Sequence, residues 1–322
     1  MKQINHPSMK CSRRNALKTA GIAMGALSLE NAQLKAATPQ SHQGRAFRYC
    51  LNTSTIRGQK LGIIKEIDVA GQAGYDALEP WFDGINQYAD GGGSLKDLAK
   101  RIADHGMTIE SAIGFAPWIV NDDAKRAAGL EQAKREMDRL AQIGGIRMAA
   151  PPAGTSRGEQ IEVEAAAERY ATLLEIGESI GVIPMIEMWG GHPVIGRISK
   201  AVSIAIECGH PKACFLGDVY HTYKGGCPFE GLKLLGTQAM QVFHFNDYPP
   251  DPPRETINDS HRVYPGDGIA PLDDILNGFA EVGATPVLSL EVFNRSYWEQ
   301  DAAGVAKTGL RKMQSAVKKA LG

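Results

Sequence analysis

The sequence predicts an α/β fold, a closed (β/α)₈ TIM barrel filling one domain from residue 38 to residue 322. Three observations carry that expectation. Short apolar segments rich in β-branched and aromatic residues alternate with longer segments of helical spacing, eight times over about 275 residues. Several helical segments end in glycine just before the next strand, where a left-handed cap fits: Ala73-Gly74, His105-Gly106, Ile180-Gly181 and Val282-Gly283. The turn after the first strand, Leu51-Asn52-Thr53-Ser54-Thr55-Ile56-Arg57-Gly58, is not the glycine-rich phosphate loop that a doubly wound open sheet would favour there.

Taken in order, the strands are expected at 47–53, 76–81, 108–114, 146–151, 183–189, 213–220, 240–246 and 286–292. The helices between and after them are expected at 63–73, 95–105, 123–143, 161–180, 194–208, 229–235, 272–282 and 302–321. Strands separated by helices pair in parallel through right-handed crossovers. Tyr248-Pro249-Pro250-Asp251-Pro252-Pro253 reads as a rigid excursion in the loop after strand seven. No linker, charge block or low-complexity run divides the barrel.

Residues 1–37 stand apart. Ser12-Arg13-Arg14-Asn15-Ala16-Leu17-Lys18 is a twin-arginine pattern followed by a mildly apolar stretch too short to span a bilayer. They read as a Tat-type export signal, which implies a periplasmic protein with no membrane attachment after the signal is removed. The whole chain carries 35 basic and 36 acidic residues, net -1; loss of six basic residues and Glu30 with the signal brings it to -6. That acidity argues against nucleic acid as a partner. Four cysteines remain, Cys50, Cys208, Cys214 and Cys227, with no zinc-binding spacing; they read as small buried apolar residues, with one disulfide permitted by export.

In a barrel the chemistry sits at the C-terminal ends of the strands. Four consecutive strands end in residues able to bind a metal: Glu187 in Ile186-Glu187-Met188-Trp189, Asp218 in Gly217-Asp218-Val219, His244 in Phe243-His244-Phe245, and Glu291 in Leu290-Glu291-Val292. Their alternation with apolar neighbours lets all four point inward. Three carboxylates in one buried mouth repel each other unless a cation neutralises them. The donor set suits one divalent cation, Mn²⁺ first and Co²⁺ or Mg²⁺ next, better than a structural zinc.

These segments, with Asp218-Val219-Tyr220-His221, Asn246-Asp247 and Pro265-Gly266-Asp267-Gly268, resemble the sugar isomerase/epimerase family built on the xylose-isomerase-like barrel, the relatives of D-tagatose 3-epimerase and inosose dehydratase. The resemblance spans nearly all of the barrel. It implies that Glu187, Asp218, His244 and Glu291 hold one cation, that Glu187 and Glu291 form the acid/base pair, and that His221 contacts a substrate oxygen. The family's usual arginine shortly after the histidine ligand is absent here, where Tyr248-Pro249-Pro250 stands; Arg254 or Arg262 is expected to replace it from the longer loop.

The expected activity is that of a sugar isomerase or epimerase acting on a ketose or keto-sugar through a metal-stabilised enediolate. A leaving group β to the carbanion turns the same site into a lyase or hydratase on keto-sugars or keto-glycosides. Export favours sugars without phosphate. Glu79, in Leu78-Glu79-Pro80-Trp81, is expected to bind a substrate hydroxyl or to orient a neighbouring polar group. Trp81, Trp118, Trp189 and Trp298 fall near predicted strand ends, where aromatic rings stack on sugars. Lys224 is expected to be a solvated loop residue rather than an anion binder, and Asp267 a turn residue. The partner is a small sugar, and nothing in the sequence opposes a homo-oligomer.

Overall fold

The computed structural model describes residues 47–156 and 158–322. The expected export signal lies outside them. Eight parallel strands alternate with helices: β1 Tyr49–Asn52, β2 Ala77–Glu79, β3 Thr108–Ile109, β4 Arg147–Ala150, β5 Ile183–Glu187, β6 Phe215–Asp218, β7 Val242–His244 and β8 Val287–Leu290. The sheet order is β3-β2-β1-β8-β7-β6-β5-β4. First and last strands pair in the middle of that order, Tyr49 against Leu288 and Leu51 against Leu290. The remaining seam, β3 to β4, is bridged by the Ala149 N–H donating to the Ala112 carbonyl at 2.9 Å. The chain is the (β/α)₈ barrel that its alternation predicts.

The main crossover helices are α1 Ile63–Ala73, α2 Phe82–Asp90, α3 Leu95–Asp104, α4 Asp123–Gln142, α5 Val163–Ile180 and α6 Ile198–Glu207. They continue with α7 Val219–Lys224, α8 Leu272–Glu281, α9 Arg295–Trp298 and α10 Ala302–Leu321. Gly74 and Gly181 cap α1 and α5 in the left-handed region, each at φ 94°, where a side chain is strained. Asp122 and Asp301 open α4 and α10 by accepting from the N–H groups of Lys125 and Gly304, satisfying donors that the first helical turn leaves free.

Three expectations change. Residues 108–114 yield a strand of only two residues, Thr108 and Ile109, with a separate bridge from Ile113 to Trp81. Val219 and Tyr220, expected as strand, begin α7, because the Asp218 carboxylate caps that helix. The segment expected as a helix at 229–235 is a 3₁₀ turn, Phe229–Leu234. Among the described residues no disulfide forms, and Cys50, Cys208, Cys214 and Cys227 are free thiols. Among the described residues no helix is long and apolar enough to cross a membrane.

The apolar core lies in two places. The larger part packs between strands and helices, with Leu51, Leu78, Phe215, Phe243 and Leu290 turned toward the helical ring. The smaller part fills the barrel: Ile113, Ala149, Met185, Leu216 and Val242 pack together, beside Cys50, Ala77 and Val287. This plug makes the floor of the site. Gly217 is glycine because a Cβ there would lie 2.6 Å from the Phe243 ring.

Candidate active site

Residues two apart on a strand point the same way. Counting two residues from the plug toward the C-terminal end converts the apolar floor into a polar layer. Met185 leads to Glu187, Leu216 to Asp218, Val242 to His244, Cys50 to Asn52 and Ala77 to Glu79; Val287 leads to Ser289 and then Glu291. Every side chain of that polar layer is buried.

Asp218, His244 and Glu291 each offer one donor atom within 4.8 Å of the others. His244 Nδ1 stands 3.0 Å from Glu291 Oε2 and 3.4 Å from Asp218 Oδ2. Its other nitrogen, Nε2, is 3.0 Å from Glu79 Oε2. A carboxylate only accepts, so Nε2 carries a proton toward Glu79, and Nδ1, which faces the Glu291 and Asp218 carboxylates, is the nitrogen free to bind a cation once its own proton is lost. Glu79 is held in turn by the Asn52 amide at 2.9 Å and the Ser289 hydroxyl at 2.6 Å. Glu79 is fully buried behind His244. Of the two roles expected for it, orientation of a neighbour is the one its place allows; a substrate hydroxyl has no access to it. Carboxylates that orient a metal-binding imidazole are worth roughly 10–100-fold in metal affinity. Glu79→Gln is therefore expected to weaken Mn²⁺ binding by about that factor, measured by titration calorimetry, and an unchanged affinity would refute the orienting role.

Glu187 lines the same cavity as Glu291. It lies outside the tight trio, and its Oε2 is buried without a hydrogen-bond partner. Burial, and then the Glu291 charge, push its carboxyl up to about 8. Burial acts against the charge on Asp218 as well, but Arg262, His221 and His244 hold its carboxyl well below the usual range. For His244, burial opposes the proton while Glu291 and Glu79 raise its pKa well above the ordinary value.

Arg262, delivered by the loop after β7, is 1% exposed and reaches the centre of the cluster. Its Nη1 donates at 2.9 Å to both Asp218 Oδ2 and Glu291 Oε2. Its plane lies 4.4 Å from the Tyr220 ring centre. Nη2 stands 3.0 Å from His221 Nε2. The other ring nitrogen of His221 accepts from the Gly190 N–H at 3.1 Å. With burial and a guanidinium beside it, His221 is held below the ordinary histidine pKa. Arg254 stays at the loop surface, where its carbonyl and that of Ile257 both accept from Lys224 Nζ at 2.8 Å, with the Glu255 carbonyl at 3.1 Å. Lys224 is thus a loop fastener rather than a freely solvated residue.

Trp81 and Trp189 line the cavity, while Trp118 and Trp298 do not. Trp118 is buried with its indole N–H on the Pro151 carbonyl at 2.8 Å, and the Trp298 N–H bonds the Ser54 carbonyl at 2.9 Å. Asn246 bonds Asp218 Oδ2 and the Glu291 backbone carbonyl, each at 3.3 Å. Asp247 accepts from Gly266, Gly268 and Ala270 N–H groups, and a Cβ on Gly268 would lie 2.2 Å from the Tyr248 carbonyl; the Pro265-Gly266-Asp267-Gly268 segment is a loop clamp. Sequence reasoning did not single out Asn52, Phe115 or Phe293. For Asn52 a signal was available, since it ends strand one as Glu79 ends strand two.

The donor chemistry fits a divalent cation. The buried carboxylates of Glu187, Asp218 and Glu291 share this end of the barrel with the His244 imidazole, whose Nδ1 faces two of them, and one Glu187 oxygen has no partner. Without a cation, Arg262 and a protonated His244 supply the positive charge against these carboxylates. Residues 67–316 match the sequence profile of the xylose isomerase-like TIM barrel. The chain belongs to this family. Within it, the inosose isomerase of Bacillus velezensis is 26% identical over 278 residues, covering 84% of this chain and 98% of the relative. The IolI protein, solved with a bound zinc atom, superposes with a TM-score of 0.79 at 22% identity, covering 86% of this chain and all of that one. L-ribulose 3-epimerase superposes with a TM-score of 0.67 at 17% identity, covering 85% of this chain and 95% of that one.

Proposed function

We propose that this family member is a divalent-metal-dependent sugar isomerase or epimerase, acting on a ketose or keto-sugar. The observation that carries the reading is the placement of two carboxylates, Glu187 and Glu291, in one cavity beside the Asp218–His244 pair. The inosose isomerase relative and the zinc-containing IolI structure support it.

Glu187, Asp218, His244 and Glu291 would hold the cation, Mn²⁺ foremost. When bound, it would act as a Lewis acid on the substrate's carbonyl oxygen. The protein's own groups do the rest. One glutamate takes the proton from the carbon next to the carbonyl, and the other returns a proton to the resulting enediolate. Glu187 and Glu291, which line one cavity, are the two glutamates, and Glu291 is fixed by Asn52 at 3.2 Å and by Arg262. Arg262 and His221 line the cavity wall, where the Nη groups of Arg262 are taken by Asp218, Glu291 and His221, so the part of Arg262 is to hold the carboxylates in place. The Nη2 of Arg262 also bonds Asp259, which holds the guanidinium from its outer side.

A second reading, a carbon–oxygen lyase or hydratase, uses the same two glutamates. The cavity favours keeping it, because about 810 Å³ leaves room for a departing group beside the sugar. The twin-arginine segment supports a periplasmic site of action. A neutral sugar also agrees with Lys224, whose ammonium is taken up by three backbone carbonyls.

Incubation of Mn²⁺-loaded protein with keto-sugars in D₂O tests both readings. Deuterium entering one carbon with the skeleton intact supports isomerase or epimerase chemistry. Release of an unsaturated product supports the lyase. Absence of carbon-bound deuterium and of elimination across ketoses, keto-sugars and keto-glycosides would overturn both.

A further inference from the structure

Away from the carboxylates the cavity changes character. Four aromatic side chains form an arch along one wall, and its Phe293 end packs against Arg262 at 5.1 Å. Phe293 and Trp81 have ring centres 5.9 Å apart, Trp81 and Phe115 5.2 Å, and Phe115 and Trp189 6.1 Å. Neighbouring rings are inclined at 71°, 55° and 46°. They follow β8, β2, β3 and β5, so the arch covers the side of the mouth away from β6 and β7.

The arch is preorganised. The Trp81 indole N–H bonds Asn52 Oδ1 at 2.9 Å, and Arg57 covers the ring at 4.1 Å from its centre. Phe115 follows Ile113, which bridges Trp81 and accepts from the Phe82 N–H at 2.9 Å. A Cβ on the intervening Gly114 would sit 2.7 Å from the Phe82 ring, so the backbone under Phe115 is packed directly onto α2. Yet Phe115 itself is 43% exposed. A large aromatic side chain held open in a cleft beside buried carboxylates is uncovered apolar surface, and covering it releases free energy.

One sugar ring does not use this space. Cavities of about 300–1,000 Å³ take drug-sized ligands, and this one measures about 810 Å³. A single sugar with its carbonyl between Glu187 and Glu291 would leave much of the arch to water. The inclined rings also differ from a flat platform; they present edges and faces in turn, as aromatic clusters do around an enclosed planar group.

We propose that the arch of Phe293, Trp81, Phe115 and Trp189 is a subsite for a flat apolar group carried by the sugar, which makes aryl glycosides and their keto forms the substrate class. The inference rests on the reading that the sugar ring lies at Glu187 and Glu291. Phe115 is the residue that determines the preference, because it is the most open of the four.

The test uses unreactive probes on the Mn²⁺-loaded full chain: phenyl β-D-glucopyranoside against methyl β-D-glucopyranoside, titrated by calorimetry and by tryptophan fluorescence. The phenyl glycoside is expected to bind at least ten times more tightly. In Phe115→Ala that ratio should fall below about three, and in Phe115→Tyr, which keeps the ring, it should persist. Equal affinities in the parent protein, no binding of either probe, or a ratio untouched in Phe115→Ala would each overturn the subsite. D₂O exchange on a keto-sugar, run on the parent protein, separates the two failures. Exchange without phenyl preference removes the subsite alone. Phenyl preference without exchange or elimination leaves the subsite and removes the proton-transfer reading.

Discussion

Glu291→Gln is expected to lower proton exchange by ~10³-fold or more, within the range that a positioned acid or base contributes. The amide keeps the shape of the side chain and its contact with Asn52, whose Nδ2 lies 3.2 Å from Oε1. What it loses is the basic oxygen and the negative charge facing His244 Nδ1 and Arg262 Nη1, at 3.0 and 2.9 Å. Because the same carboxylate is a candidate ligand, the variant should also hold less Mn²⁺. Metal content by elemental analysis and deuterium incorporation by NMR read the two effects separately. Full exchange at the parent rate would remove Glu291 from the chemistry. A loss of exchange that excess Mn²⁺ restores completely would reduce its role to metal binding.

Stripped of metal, Glu187→Gln is expected to be more stable than the parent at pH 8 and close to it at pH 5. The carboxyl of Glu187 is raised to about 8 from an ordinary value near 4.5, first by burial and then by Glu291. Between those values the unfolded chain has released a proton that the folded chain still holds. Stability of the parent therefore falls as pH rises through that window and levels off above it. Complete transfer of such a shift would amount to roughly 5 kcal/mol, and relaxation of the site brings the expected loss to about 2–4 kcal/mol. Glutamine does not titrate, so the gap in melting temperature between variant and parent should widen from pH 5 to pH 8. Adding Mn²⁺ should reverse the order, since binding to the folded state alone stabilises it and the parent offers the fuller ligand set. Parallel melting curves at both pH values would show that Glu187 is not strained by its neighbours.

The two variants probe a common design. The polar layer of the barrel stands on an apolar plug and its side chains are buried, so its charges are costly one by one and tolerable only together. Arg262 illustrates the point. It bonds two carboxylates of the cluster and packs against the Tyr220 and Phe293 rings, at 4.4 and 5.1 Å from their centres. A cation held by those carboxylates would have to share Asp218 and Glu291 with that guanidinium.

Much of the architecture was legible in sequence because it rests on local periodicity. Alternating residues on each strand must choose between the plug and the helical ring, and Gly74 and Gly181 close α1 and α5 in the left-handed region. The errors came where local pattern met a competing partner. Residues 110–114 look like strand, but next to β4 only the Ala112 carbonyl finds an N–H. Val219 and Tyr220 look like strand, but the Asp218 carboxylate accepts the His221 N–H at 2.8 Å and starts a helix.

The sequence alone determined the eight-unit barrel and the strand-end positions of Glu187, Asp218, His244 and Glu291, since a two-residue period and a barrel's polarity suffice to place them at one rim. Tertiary structure alone decided the rest. It put Glu79 behind His244 rather than in the cavity, and it brought Arg262 to Asp218 across 44 positions of chain. It also joined Trp81, Phe115, Trp189 and Phe293 into one wall. The physical reason is that periodicity assigns a side chain to a face, whereas its partner on that face comes from another strand, set by sheet register and loop path.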